Sequence, residues 1–185
     1  MEFSEIYDSH FDHIRAFILK MVKDQWTADD LAQETFIRVR ENLNDLRDHS
    51  KLKSWIYQIA RNQCLDYFRS SGQKYDALEI NDNVLGIGEP DIQLKLEQNQ
   101  MSNCVLNKID LLPEPLREVL ILFESEELNN QQISEILNIS VANVKVRLHR
   151  ARKALKEILE RECNFEHDER NVMICLPAEI TNGEK

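Results

Sequence analysis

The segment "SVANVKVRLHRARKAL", residues 140–155, gathers basic side chains in a chain whose formal net charge is −10. It contains Lys145, Arg147, Arg150, Arg152 and Lys153 and no acidic residue. Arg and Lys pair with phosphates and with guanine acceptors, and Asn pairs with adenine. The chemistry that this segment favours is therefore the binding of a polyanion, and of DNA in particular.

The residues around this segment predict a helix-turn-helix. Ile133, Ile136 and Leu137 give a preceding short helix its apolar face, and Asn138 tolerates the left-handed backbone that the turn needs. Ser140 is suited to cap the second helix, whose N-terminal half would reach base edges in the major groove. The predicted buried stripe of that helix is Val141, Val144, Leu148, Ala151 and Leu155. The predicted DNA-facing residues are Ala142, Asn143, Lys145, Val146, His149, Arg150 and Lys153. An ordinary helical hairpin with a basic face is the alternative.

A second basic block spans residues 47–74, with six basic and two acidic side chains. Within it, "KLKSWIYQIARNQCLDYFRS" mixes cations with aromatic rings, a combination that holds unpaired bases. Helical spacing assigns Trp55 and Phe68 to the core. The opposite face carries Arg61, Asn62, Asp66 and Arg69, of which Asn62 can hydrogen-bond a base edge.

An acidic helix face is predicted near residues 27–41, where Thr27 is expected as the N-cap. Its outward residues are Asp30, Gln33, Glu34, Ile37, Arg38 and Glu41. Acids repel phosphate, so this face favours protein docking over DNA; a merely solvated face is the alternative.

Composition favours helices, because the 185 residues include only four Gly and four Pro, the residues that most often interrupt a helix. No apolar run reaches the ~18 residues of a membrane span, and the acidic start lacks a signal peptide, which predicts a cytoplasmic protein. In that compartment the cysteines are expected as free thiols. They are Cys64, Cys104, Cys163 and Cys175.

The predicted fold class is all-α, with two small helical domains joined by a flexible acidic linker. The expected parts are an N-terminal helical bundle over 1–72, the linker over 73–104, the helix-turn-helix domain over 105–161 and a C-terminal extension over 162–185. In the first bundle, helices are expected at 3–23, from Thr27 and from Leu52. Pro115 suits a first helical turn. The extension alternates in hydropathy and predicts either a small hairpin or a disordered tail.

Three segments, taken in their order along the chain, resemble bacterial RNA polymerase sigma factors of the extracytoplasmic-function type in the sigma-70 family. "DDLAQETFIRVRENL" resembles their region 2.2, and "LKSWIYQIARNQCLDYFR" the segment that follows it. "LPEPLREVLILFESEELNNQQISEILNISVANVKVRLHRARKAL" resembles their region 4. The likeness spans about residues 3–160, and the short tail with its cysteines resembles the sigma-Z branch.

The resemblance implies partners and residue roles. RNA polymerase core would be bound through the clamp of β′, at Asp30, Gln33, Glu34 and Arg40, and through the flap of β. Promoter DNA would be held as a melted strand at Lys51, Arg61, Asn62, Asp66 and Arg69. It would be read upstream as duplex by Asn143, Lys145, Val146, Arg147, His149, Arg150 and Lys153. The acidic linker would mimic nucleic acid near the polymerase active cleft. An anti-sigma partner stays open, and no cofactor or catalytic activity is implied.

Departures from the family pattern fall in the DNA-reading helix. Ala142-Asn143 stand where Gly-Thr is usual, and Val146 replaces a small polar residue, so the promoter preference is expected to differ.

Two other classes of function compete with this one. A stand-alone helix-turn-helix regulator would need dimerisation and a palindromic site, and no dimer helix is evident. A metal enzyme could use His10 and His13 with nearby acids, or Cys163, His167 and Cys175. The first set lacks a Glu-x-x-His pair and the second a fourth ligand.

Overall fold

The computed structural model describes residues 2–72, 108–167 and 173–177. The predicted linker over 73–104 lies outside these residues. The described chain forms two helical units, and the prediction of an all-α fold with two helical regions is confirmed.

The N-terminal unit is built from three helices: α1 (Phe3–Val22), α2 (Gln25–Asn42) and α3 (Leu52–Ser71). Short 3₁₀ turns at Leu43–Asp45 and His49–Lys51 connect α2 to α3. Apolar residues at helical spacing converge between the helices and bury a common core. Its fully buried members include Ile14, Phe17, Ile18, Phe36, Ile56 and Tyr57.

The expected N-cap of α2 is wrong by three residues. Asp24 occupies the cap, and its carboxylate accepts a hydrogen bond from the Thr27 N–H at 2.8 Å. A charged carboxylate is a stronger acceptor for the first N–H groups than a hydroxyl. The helix therefore begins at Gln25, and Thr27 lies in its first turn.

The C-terminal unit contains α4 (Glu114–Leu120), α5 (Asn130–Leu137) and α6 (Val141–Glu162). Pro115 lies in the first turn of α4, as predicted. A π-helical turn, Ile121–Ser125, follows α4 directly. Glu127 then takes a left-handed conformation with φ of 52° before α5 begins. Both α4 and α5 pack on α6.

The C-terminal extension forms a two-stranded antiparallel hairpin after α6. Strand β1 is Cys163–His167 and strand β2 is Met173–Pro177. The register pairs Cys163 with Pro177 and His167 with Met173. Of the two alternatives for this segment, the hairpin is the one that forms.

The two units touch each other, because α3 packs against α5. This contact brings the second basic block beside the helix-turn-helix. None of the helices among the described residues is both long and apolar enough to cross a membrane.

Candidate nucleic-acid interface

The helix-turn-helix forms from α5, residues 138–140 and α6. Asn138 is left-handed with φ of 53°, and its N–H is donated to the carbonyls of Ser134 and Glu135. The Ser140 hydroxyl accepts from the Asn143 N–H at 3.2 Å, so the predicted cap is present. Asn129 caps α5 in a reciprocal capping box with Gln132. These local bonds fix where each helix starts, and the burial of Val144, Leu148 and Ala151 sets which face of α6 points outward.

The outward face of α6 carries the predicted DNA-reading side chains. All of them are exposed except Arg147, which is half-buried: Asn143, Lys145, Val146, His149, Arg150 and Lys153. The Arg147 guanidinium donates to the Asn143 side-chain oxygen at 3.1 Å. On the inner side Val144, Leu148 and Ala151 are buried, as predicted, whereas Val141 and Leu155 are half-buried.

Arg152 is not part of this outward set. Its guanidinium pairs with Glu124 at 2.7 Å and lies 5.0 Å from the centre of the Phe123 ring. The contact ties α6 to the π-helical turn. Arg152 is thus held by protein groups of its own unit.

A surface pocket of about 630 Å³ opens beside the start of α3. Lys51 and Asn62, two of the predicted melted-strand residues, line it together with the half-buried ring of Trp55. The remaining lining residues are Arg38, Asn42, Asp45, Leu46, Arg47, Asp48 and Ile59. A ring, amides and cations around one cavity are what an unstacked base requires.

The pocket adds to two interpretations of the sequence. Trp55, assigned to the core, packs against it but is only half-buried and also lines the pocket, while Phe68 is buried as expected. Arg38 and Arg47 were not among the predicted DNA-binding residues. Arg38 belongs by spacing to the acidic face of α2, and Arg47 lies in the loop whose path the sequence does not specify. Arg47 begins the basic block over residues 47–74, whereas Arg38 lies outside that block.

The other melted-strand candidates do not line this pocket. Asp66 and Arg69 pair with each other at 2.8 Å on the exposed end of α3. Arg61 reaches the C-terminal unit instead, where its guanidinium bonds both carboxylate oxygens of Glu118 at 2.5 and 3.2 Å. The structure therefore brings Lys51 and Asn62 together and places Arg61 at the contact between the units.

The predicted docking face lies on α2, and Arg38 of the same helix also lines the pocket. Asp30, Gln33 and Arg40 are exposed, and the half-buried Glu34 pairs with Arg38 at 3.2 Å. Two apolar side chains accompany them: Ile37 is 51% exposed and Trp26, which the sequence reasoning missed, is 81% exposed. Carboxylates, an amide and exposed apolar surface together favour a protein partner.

Charge pairs span the contact between the units. Lys51 and Ser54 both donate to Glu135, and these hydrogen bonds, with Lys51 the larger cause, lower the pKa of the Glu135 carboxyl. The same carboxylate raises the pKa of Lys51. Tyr57 donates to Glu126 at 2.8 Å, and burial first, then this neighbouring carboxylate, raises the pKa of its phenol.

Among the residues whose side chains the structure describes, which include His10 and His13, no group of three or more His, Cys, Asp or Glu is arranged to hold a metal ion. The side chains of Cys163, His167 and Cys175 lie outside that part of the chain. Burial is the first cause that lowers the pKa of His10, followed by the charge of Lys53 and of His13. Burial also raises the pKa of the Cys64 thiol to about 12, so that side chain is an inert packing group.

These are features of a DNA-binding protein: a helix-turn-helix with an exposed basic face, a pocket lined by an aromatic ring, amides and cations, and an α2 face with carboxylates and exposed apolar side chains. Two family descriptions match the chain: sigma-70 region 2 over residues 6–74 and sigma-70 region 4 over residues 102–155. The first match covers the pocket and the docking face, and the second covers the helix-turn-helix.

Individual relatives agree with these matches. "ECF RNA polymerase sigma factor SigM" of Bacillus subtilis is 36% identical over 90% of this chain and 100% of its own length. "RNA polymerase sigma factor SigZ" of the same organism is 33% identical over 91% and 93%. In fold, the chain resembles sigma factor RpoE of Bartonella quintana, solved with the anti-sigma factor NepR. That match has a TM-score of 0.69 and 20% identity, over 85% of this chain and 96% of that one.

The chain belongs to the sigma-70 family of RNA polymerase sigma factors, in the extracytoplasmic-function group. It is an alternative sigma factor that directs RNA polymerase to promoters. Sigma factors are initiation factors, not catalytic enzymes. The SigM and SigZ matches are similar in strength, so assignment to the sigma-Z branch stays a prediction.

Proposed function

We propose that this sigma factor holds its promoter at two places: an upstream duplex element on α6 and a melted downstream strand at the pocket of the N-terminal unit. The observation that carries the proposal is the pairing of an outward cationic face on α6 with a pocket on a separate unit that is lined by an aromatic ring, amides and cations. The helix α6 suits duplex DNA, because a helix fits the major groove. The pocket suits melted DNA, because only an unpaired base can leave the stack and enter it.

The upstream contact would be made by the exposed face of α6. Asn143, Lys145, Val146 and His149 lie toward its N-terminal half, where side chains reach base edges. Arg150 and Lys153 follow and would bind phosphates or guanine. Arg147 would position Asn143 through the hydrogen bond that joins them.

The downstream contact would be made by Asn62 and Lys51. The Asn62 amide can bond the edge of a flipped base while Trp55 supplies apolar surface beside it. Lys51, Arg38 and Arg47 would neutralise the neighbouring phosphates. Arg61, Asp66 and Arg69 lie further along α3 and would follow the strand. Binding the flipped base offsets the few kcal/mol that unstacking costs.

The polymerase would be bound through α2. Asp30, Gln33, Glu34 and Arg40 would dock on the clamp of β′, with Ile37 as the apolar contact among them. The C-terminal unit would meet the flap of β. The proposed parts remain 1–72, 73–104, 105–161 and 162–185. The protein would act in the cytoplasm, where polymerase and promoter are.

A test separates polymerase binding from DNA reading. Core polymerase with this protein should start transcripts at defined positions on genomic DNA. Arg150→Ala should reduce transcription from those promoters about tenfold or more, since one good base or phosphate contact is worth about 1–3 kcal/mol. Glu34→Lys should instead weaken co-elution with core enzyme. Lys156→Ala, an exposed cation further along α6, is the matched control.

The outcomes distinguish the alternatives. Loss of initiation in Arg150→Ala, with core binding intact, supports the proposal that α6 binds promoter DNA and α2 binds polymerase. A protein that footprints a palindromic duplex without core, and starts no transcript with it, would be a stand-alone regulator instead.

A further inference from the structure

Trp26 is the most exposed large apolar side chain among the described residues, with 81% of it accessible to solvent. It lies in the first turn of α2. Within residues 2–72 and 108–162 its indole makes no stacking contact with another ring and no hydrogen bond. A single exposed apolar side chain is common on protein surfaces, so the meaning of Trp26 depends on what lies beside it.

The neighbours of Trp26 on the helix surface form one continuous stripe. Ile37, which is 51% exposed, follows it by three helical turns, so the two side chains face the same direction about 16 Å apart. Asp30 and Gln33 lie between them on the same face and are exposed. Trp26 therefore continues the proposed polymerase-docking face by one turn toward the start of α2. It lies before Asp30, the first docking residue that the family resemblance implies.

The charge around Trp26 is negative. Residues 24–37 include four acidic side chains and no Lys or Arg. Two of the acids, Asp29 and Glu34, pair with arginines of the same unit. The other two, Asp24 and Asp30, are exposed and have no ion-pair partner within residues 2–72 and 108–162. This end of α2 thus repels DNA and is complementary to a basic protein surface.

An indole beside a free carboxylate suits one kind of side chain in a partner. The face of an aromatic ring attracts a cation, and Trp attracts it more strongly than Tyr or Phe. Arg fits such a place better than Lys, because its planar guanidinium stacks on a ring while its N–H groups donate to a carboxylate. Asp30 follows Trp26 by four residues, the spacing at which helix side chains are neighbours.

We propose that Trp26 is a contact residue for RNA polymerase core, and that its indole stacks on an arginine of the polymerase that also pairs with Asp30. The inference rests on the proposed docking of α2 on polymerase and adds an aromatic anchor to the polar residues of that face. Trp and Arg are enriched among the few residues that provide most of the binding energy of protein interfaces. Ile37 then supplies the apolar contact at the other end of the stripe.

The affinity of the full-length protein for core polymerase, measured without DNA by microscale thermophoresis, tests this contact. Trp26→Ala should weaken binding about thirtyfold, the effect of losing one dominant interface side chain. Trp26→Phe should keep part of the affinity, because a Phe ring still attracts a cation. Trp26→Leu, which is apolar but has no ring, should be nearly as weak as Trp26→Ala. Gln25→Ala, an exposed neighbour on another face of α2, is the matched control and should bind like wild type.

Two further measurements separate a lost contact from a lost fold. Because the indole is exposed, every Trp26 variant should keep the wild-type Tm. Hydroxyl-radical footprinting read by mass spectrometry then reports on the indole itself. Oxidation of Trp26 should fall severalfold when wild-type protein binds core. It should stay at the value of the free protein for Glu34→Lys, at a concentration that leaves this variant unbound.

The outcomes distinguish this inference from the proposed function. Wild-type affinity in Trp26→Ala, with Glu34→Lys weakened, would overturn the inference and leave the docking of α2 in place. Wild-type affinity in Trp26→Leu would overturn the stacked arginine, since only apolar surface would then be needed. Wild-type affinity in both Trp26→Ala and Glu34→Lys would overturn the inference and the docking of α2 together.

Discussion

Val146 is the apolar side chain among the residues of α6 that are predicted to contact DNA bases. It is a β-branched apolar residue, 47% exposed, between the cations of α6. An apolar side chain in the major groove contacts the methyl group of thymine. The family resemblance alone gives no base preference at this position, because a small polar residue is more frequent there.

We expect Val146 to recognise a thymine methyl group in the upstream element. Replacing the contacted thymine by uracil should weaken duplex binding about fourfold, the effect of ~0.8 kcal/mol for one buried methyl-sized group. Val146→Ser should lose this sensitivity, and Val146→Thr should keep it because Thr retains a methyl group. Titration of each variant with thymine and uracil duplexes measures the effect. An equal uracil penalty in wild type and Val146→Ser would show that the contact is absent.

For single residues, the sequence predicted which side chains are exposed better than it predicted what each side chain contacts. The exposed face of α6 follows from helical spacing, so Lys145, His149 and Arg150 are where the pattern places them. Trp55 differs, since an aromatic on an apolar stripe can border a pocket as well as fill a core. Whether it does depends on the loop at 43–51, whose course local propensity does not determine.

The turn between α5 and α6 shows how an element is positioned. Ser140 supplies the side-chain acceptor for the first turn of α6, and Asn138 ends α5 in the left-handed region. Both features follow from residue type, which is why the sequence predicted them. The start of α2 was misjudged because Asp24 and Thr27 are both good caps, and the choice between them depends on competing local hydrogen bonds.

Removing the Ser140 hydroxyl should destabilise the C-terminal unit. Ser140→Ala leaves the Asn143 N–H without its acceptor and should lower the free energy of unfolding by about 1 kcal/mol. Urea denaturation followed by circular dichroism measures the change. Ser9→Ala, an exposed serine inside α1 that bonds its own helix backbone, is the control and should be neutral or slightly stabilising. Equal stabilities of Ser140→Ala and Ser9→Ala would contradict the capping role.

On the scale of the whole molecule, the contact between the units is what the sequence did not reveal. Lys20 and Glu126 are 106 residues apart and Arg61 and Glu118 are 57 apart. No periodicity or turn signal couples such positions. The two basic segments pointed to two nucleic-acid contacts, yet part of the charge of the block over 47–74 pairs within the chain. The same basic block thus has a partner in the free protein and another proposed in the initiation complex.

Permanganate footprinting of the complex with core polymerase tests two-site promoter recognition most directly. Permanganate reacts with unpaired thymines, and nuclease protection on the same template reports the upstream contact. With wild-type protein, reactive thymines should appear in the downstream element and the upstream element should be protected. Asn62→Ala should keep the upstream protection and lose most of the thymine reactivity. Arg150→Ala should lose more of the upstream protection than of the thymine reactivity. Full downstream melting by Asn62→Ala, or loss of both signals together in each variant, would contradict the account.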